Sequence, residues 1–197
     1  MAAVTSEDPD TAPTSPTAAP PARDAGRRPA RPVVRQARPA DVRHIYQLVQ
    51  PFTETRVLIA KELISYFEAV QEFVVAELPE EPGRIVGCGA LHVLWDDIAE
   101  VRTLAVDPRV QGRGVGHELL QTLIDRARAL GLQRVFCLTF EVDFFTRHGF
   151  RRIAGTPVGT DVYAEMLHSH DDGVAEFLDL ARAKPNTLGN SRMLLEL

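Results

Sequence analysis

Apolar and polar positions change their period several times along the chain, and each change marks an element. Val33-Val34-Arg35-Gln36 reads as a first strand. Pro39 then opens a helix, where its missing N–H costs nothing, and Val42, Ile45, Leu48 and Val49 recur at helical spacing. A second helix is expected over about 61–70. Phe73 to Leu78 has strand character, Pro79-Glu80-Glu81-Pro82-Gly83 a turn, and Arg84 to Trp95 a long strand, which together predict a hairpin. After a turn at Asp96-Asp97, Ile98 to Val106 adds a third antiparallel strand. Val115, Leu119, Leu120, Leu123, Ile124, Ala127 and Leu130 then form the apolar stripe of a helix, followed by a strand over Gln133 to Thr139. Short strands alternating with helices predict an α/β or mixed α+β domain.

Composition separates residues 1–32 from the rest. That stretch holds half of the chain's 14 prolines, many alanines and no large aliphatic residue beyond Val4 and Met1, so burial cannot offset its ordering entropy. A disordered tail is expected there, and one domain over 33–197. The 197 residues are 45% hydrophobic and 25% charged, ordinary globular values. A net charge of −5 lacks the basic footprint of a nucleic-acid binder. No apolar run approaches the roughly 20 residues that span a bilayer, and the N-terminus shows no signal-peptide pattern, so a cytoplasmic protein without a membrane partner is expected. Cys88 and Cys137, the two cysteines, lie in apolar runs and read as buried thiols. His168-Ser169-His170-Asp171-Asp172 has metal-capable side chains but no further ligand at useful spacing, so it reads as a solvated helix end and no metal is expected.

The informative stretch is Val106-Asp107-Pro108-Arg109-Val110-Gln111-Gly112-Arg113-Gly114-Val115-Gly116, a glycine loop between strand and helix. Glycines at a helix mouth let the backbone approach a ligand and turn N–H groups towards an anion such as pyrophosphate. Arg113 adds a cation. The third glycine comes one position too early for the dinucleotide fingerprint, and no Gly-Lys-Ser or Gly-Lys-Thr exists for a Walker loop. Gln111-x-x-Gly114-x-Gly116, preceded by Val106-x-Pro108, instead resembles the acetyl-CoA loop of the GNAT (GCN5-related) N-acetyltransferases. The preceding meander, the following helix and the aromatic run Phe144-Phe145-Thr146-Arg147-His148-Gly149-Phe150 extend the resemblance over residues 33 to about 155. It implies the GNAT fold, a central mixed and mostly antiparallel sheet flanked by helices. It also implies acetyl-CoA as cosubstrate, held by Leu104, Ala105, Val106, Gln111, Gly112, Arg113, Gly114, Val115 and Gly116.

The implied chemistry is direct attack of an amine on the thioester. An amine is protonated at neutral pH, so a positioned carboxylate must take its proton, directly or through water. Glu100 matches the position where some members of the family carry a glutamate base. Strand alternation puts Glu100, Arg102 and Leu104 on one face until a bulge breaks the period, so Arg102 can hold an anionic group of the substrate. The family splays this strand from its neighbour, which leaves backbone N–H groups near Leu104 for the thioester carbonyl. Where many members carry a tyrosine as general acid, this sequence has Phe145, which has no proton to donate.

Gly87-Cys88-Gly89-Ala90-Leu91, Arg134-Val135-Phe136-Cys137-Leu138-Thr139, Phe144-Phe145 and the terminal Asn190-Ser191-Arg192-Met193-Leu194-Leu195 resemble the acetyltransferase portion of the amino-acid N-acetyltransferase, or N-acetylglutamate synthase, group. The short chain is similar to its stand-alone actinobacterial form. The resemblance implies transfer to the α-amine of L-glutamate at the head of arginine biosynthesis, with L-glutamine as the alternative. Two carboxylates call for two cationic or amide-rich docking points; Lys61, Arg102, Cys137, Ser191 and Arg192 are the expected substrate contacts. Lys184 is a further candidate, because Gly189 stands where longer synthases have an arginine. Acetylation of protein amines and a non-catalytic acyl-CoA sensor are the rival functions. The oligomeric state stays open, homodimers being common in these families.

Overall fold

The computed structural model describes residues 31–183 and 189–197. The tail expected at the N-terminus lies outside them as far as residue 30, and so does Lys184. Strands β1 (Val33–Gln36), β2 (Phe73–Leu78), β3 (Glu81–Val93), β4 (Ile98–Val106), β5 (Arg134–Thr139), β6 (Arg151–Arg152) and β7 (Ser191–Glu196) form one sheet in the order β1-β2-β3-β4-β5-β7-β6. All pairs are antiparallel except β4 with β5. The hairpin turn is tighter than the sequence suggests, because β3 already begins at Glu81 and meets Leu78 across it.

Each face of the sheet is covered by the helices whose apolar stripes the sequence announces. Helices α1 (Val42–Glu54) and α2 (Leu63–Glu68) bury Val42, Ile45, Val49 and Tyr66 against Val75, Cys88, Ala90 and Ala105. A 3₁₀ turn at Pro39–Asp41 precedes α1, and the Asp41 carboxylate accepts from the Arg38 N–H at 2.8 Å. Helix α2 is shorter than expected, starting two residues after Lys61.

Helix α3 (Val115–Ala129) packs on the opposite face through Leu119, Leu120, Leu123, Ile124 and Ala127. Each such fully buried aliphatic contributes about 1.5–3 kcal/mol. Leu130, expected in that stripe, is exposed because it caps the helix rather than continuing it. Close approach of α3 to β3 requires Gly87: a Cβ there would sit 2.8 Å from Val115 Cγ1 and 2.9 Å from Leu119 Cδ1. Gly87→Ala should therefore overpack this contact and cost about 1–3 kcal/mol, read as a lowered midpoint in thermal or urea melts. An unchanged midpoint would show that the helix gives way freely.

A third cluster covers β4, β5 and β7. Helices α5 (Thr160–Met166) and α6 (Asp172–Phe177) supply Met166, Val174 and Phe177 to it, against Ile98, Phe136 and Leu194. Phe136 and Phe177 meet edge to face at 4.9 Å. The remaining helix, α4 (Val142–Arg147), carries the aromatic run beside the start of α3. Its Phe144 ring lies 3.5 Å from where a Cβ on Gly116 would stand.

Candidate active site

Two features of β4 open a cleft in the middle of the sheet. Its parallel pairing with β5 runs from Ile98↔Arg134 to Glu100↔Phe136 and ends there, although both strands continue. Beyond Glu100 the two strands part. On the other side, the register with β3 shifts between Cys88 and Ala90. At that shift Thr103 adopts φ +52°, a left-handed conformation that costs a non-glycine residue about 1–3 kcal/mol and marks functional sites. This bulge corrects the simple alternation: Glu100 and Arg102 stay on the face covered by α6, while Leu104 moves to the α3 side, packed over Gly89.

The glycine loop follows directly. Gly112 and Gly114 have φ +80° and +81°, where glycine is the residue without steric cost, and Gly114 is the N-cap of α3. The first intrahelical bond runs from the Glu118 N–H to Gly114 O at 3.1 Å, so the N–H groups of Val115, Gly116 and His117 have no helix carbonyl. No atom of the described residues lies within 4 Å of a Cβ built on either Gly112 or Gly114, which leaves room among them for a phosphate to reach the backbone. Gln111 is exposed beside it, and Arg113 is ion-paired with Glu80. Leu104, Ala105 and Val106 lead into this loop along β4.

Where β4 parts from β5, Glu100 is 4% exposed. Burial pushes its carboxyl up from the ordinary range, and the Arg102 guanidinium, donating to it at 2.8 Å, works against that rise. Arg102 turns its other two nitrogens to Asp171, with bonds of 3.1 and 2.8 Å. Burial opposes ionisation of Asp171 as well, but Arg102 prevails and holds its carboxyl down to about 2. Asp171 also accepts from the Val174 N–H at 2.9 Å, capping α6. In the segment expected as a solvated helix end, His168, His170 and Asp172 are indeed exposed, while Asp171 is half-buried against Arg102. Lys61, Arg102, Thr103, His170 and Asp171 border a cleft of about 490 Å³ beneath α2.

The other expected substrate contacts are dispersed. The Arg192 guanidinium donates to the carbonyls of Gly155 and Glu176 at 3.0 Å each and to that of Phe177, and it stacks 4.9 Å over the Phe136 ring. It straps α6 to β7, so its donors are engaged by backbone. Ser191 is half-buried opposite Thr139 at the start of β7. Cys137 does not line the cleft: its side chain lies in the core beneath α3, 1% exposed, and burial raises its thiol well above the usual range. Phe145 is buried between the rings of Phe144 and Phe150. Glu176 is a residue that sequence reasoning missed, buried on α6 with Oε1 unpartnered among the described residues. Its one signal is a glutamate set among Gly173, Val174, Ala175 and Phe177. No cluster of three or more potential metal ligands exists among the described residues.

A splayed β4, a bulge at its middle and a glycine-capped helix after it define an acyl-CoA-type acetyltransferase site, and the relatives agree. Residues 40–150 match the acetyltransferase (GNAT) family, to which the chain belongs. It is 59% identical over 167 residues to the amino-acid acetyltransferase of Mycobacterium tuberculosis, covering 85% of this chain and 95% of that one. The crystal structure of Rv2747 from Mycobacterium tuberculosis, in complex with CoA and NLQ, superposes with a TM-score of 0.82 at 58% identity, covering 84% of this chain and 99% of that one. The N-acetylglutamate synthase of Neisseria gonorrhoeae, complexed with coenzyme A and N-acetyl-glutamate, has a TM-score of 0.67 at 25% identity; the match covers 85% of this chain and 35% of the synthase. The expected fold and the assignment to an acyl-transferring enzyme of the amino-acid acetyltransferase kind are borne out.

Proposed function

We propose that this enzyme transfers the acetyl group of acetyl-CoA to the α-amine of L-glutamate, in the cytoplasm and as the opening step of arginine biosynthesis. The observation that carries this reading is a buried, protonatable carboxylate, Glu100, at the point where β4 parts from β5, next to a cleft bordered by Lys61 and Arg102. The N–H groups at the start of α3 and in the glycine loop bind the pyrophosphate of the cosubstrate. Backbone N–H groups near Leu104 receive the thioester carbonyl, where negative charge develops during attack. Glu100 takes the ammonium proton directly or through water, the amine attacks, and CoA leaves as a thiolate. With Phe145 in place of a hydroxyl, that thiolate takes its proton from water or from the substrate ammonium; a thiol pKa of about 8.5 makes this departure tolerable.

The charges around the cleft favour a second reading, L-glutamine. Arg102 is already engaged by Glu100 and Asp171, and Arg192 by backbone carbonyls. A side-chain amide asks for one cation fewer than a carboxylate. Steady-state CoA release with a panel of free amino acids distinguishes the readings through kcat/KM. The glutamate reading expects the highest value for L-glutamate. A higher value for L-glutamine transfers the assignment to it, and silence across the panel with tight acetyl-CoA binding would favour a protein amine or a sensor.

A further inference from the structure

The substrate nitrogen enters as an ammonium with three protons and leaves as an amide with one. The departing thiolate takes one of the two protons released, and the other must be held by the site until it reaches solvent. We propose that Glu176 is the second carboxylate of a proton-sharing pair with Glu100, taking that surplus proton so that Glu100 returns to its ionised form. The inference rests on Glu100 being the base, and not on which amino acid is acetylated.

The two carboxylates stand on elements that pack against each other. Glu100 is paired in register with Phe136, and the Phe136 ring meets Phe177, the residue after Glu176, at 4.9 Å. Asp171 ties the N-terminus of α6 to Arg102, which holds Glu100, while Arg192 ties the carbonyls of Glu176 and Phe177 to β7. The helix is thus fixed over the base at both ends. Within it, Glu176 is 6% exposed, and its Oε1 has no hydrogen-bond partner among the described residues. A buried carboxylate oxygen without a donor is costly when ionised and satisfied when a proton or a donor arrives.

The surrounding charges agree. Glu176 is raised to about 7, first by burial and next by the Glu100 carboxylate, with Asp172 of the same helix adding to the rise and Lys61 and Arg102 opposing it. Glu100 faces Arg102, His92 and Asp171 in turn. The Glu100 carboxylate acts on Glu176, and where two carboxylates interact, protonation of one favours ionisation of its neighbour.

The test compares kcat against pH for the wild type, Glu176→Gln and Glu176→Asp. Glu176→Gln should lower kcat at least tenfold while leaving KM for acetyl-CoA within about twofold. It should also move the acid limb of the profile to lower pH, because Glu100 loses a like-charged neighbour; Glu176→Asp should restore part of the rate. A Gln variant with wild-type kcat and pH profile would overturn the proposal, whatever its melting temperature. Should that variant not fold, ¹³C-carboxyl NMR of the glutamate-labelled wild-type chain reads the same pair. The expected result is a glutamate titrating near neutrality that moves in Glu100→Gln; no glutamate titrating above about pH 6 would contradict it. A moved Glu176 titration in a Glu100→Gln variant with full turnover would reject Glu100 as base, and with it the proton-sharing role proposed for Glu176.

Discussion

Glu100→Gln lowers turnover about 10²–10⁴-fold at neutral pH, the usual contribution of a positioned general base, while acetyl-CoA still binds. The split is expected because Glu100 lies where β4 parts from β5, whereas the proposed pyrophosphate donors lie beyond β4, in the loop and at the start of α3. The pH dependence has a definite sign. The base acts when ionised, and its carboxyl is raised by burial, so wild-type activity falls as pH drops through that raised value. In the variant position 100 no longer accepts the ammonium proton, and the rate climbs with pH as the free-amine fraction of the substrate grows. Rising pH therefore narrows the gap between the two enzymes. Stopped assays across the neutral and alkaline range check this; equal profiles would remove Glu100 from the mechanism.

Arg102→Ala is expected to do the greatest damage to stability. The guanidinium is 10% exposed and its partner Glu100 5%, so truncation leaves a carboxylate buried without its cation. Removing one member of a buried pair typically costs about 3–5 kcal/mol, which for a chain of this size lowers the melting temperature by roughly 6–20 °C. The same change releases Asp171, and with it the N-terminus of α6, so turnover should fall as well. Asp171→Asn should cost less, its side chain being 31% exposed. Acid sensitivity follows from the same contact. Asp171 is lowered to about 2 from an ordinary 3.8, so its stabilising share is complete above about pH 4 and is lost as pH falls towards 2. Melts of wild type and Asp171→Asn should converge over that window; parallel curves would show that the pair is not stabilising.

Elements with a strong period were legible in the sequence. The stripe of α3, the meander β2-β3-β4 and the glycine loop between β4 and α3 all follow from spacing, because each buries one face and obeys one period. What was not legible depends on partners distant in the chain. Thr103 carries no signal of its bulge, which arises from the mismatch of β3 and β4 around Gly89. Helix α6 has only six residues and an acidic start, so His168 to Asp172 reads as solvated until Arg102 is seen to draw Asp171 inward. Arg192 and Cys137 matched a family pattern by position, but the strand pairing of β5 with β7 sends one to carbonyls and the other to the core. Glu176 was overlooked for the same reason: its helix packs on Ile98, Phe136 and Leu194, which are distant in the chain.

The central claim, direct acetyl transfer to an amino-acid α-amine, is tested most directly by product identification. The full chain is incubated with acetyl-CoA carrying a ¹³C-labelled acetyl group and L-glutamate, and the products are followed by NMR and mass spectrometry. Labelled N-acetyl-glutamate is expected, formed in step with CoA and with no labelled protein at any time. Label on the protein before product would contradict direct attack, and the absence of an N-acetylated product from either L-glutamate or L-glutamine would contradict the proposed function itself.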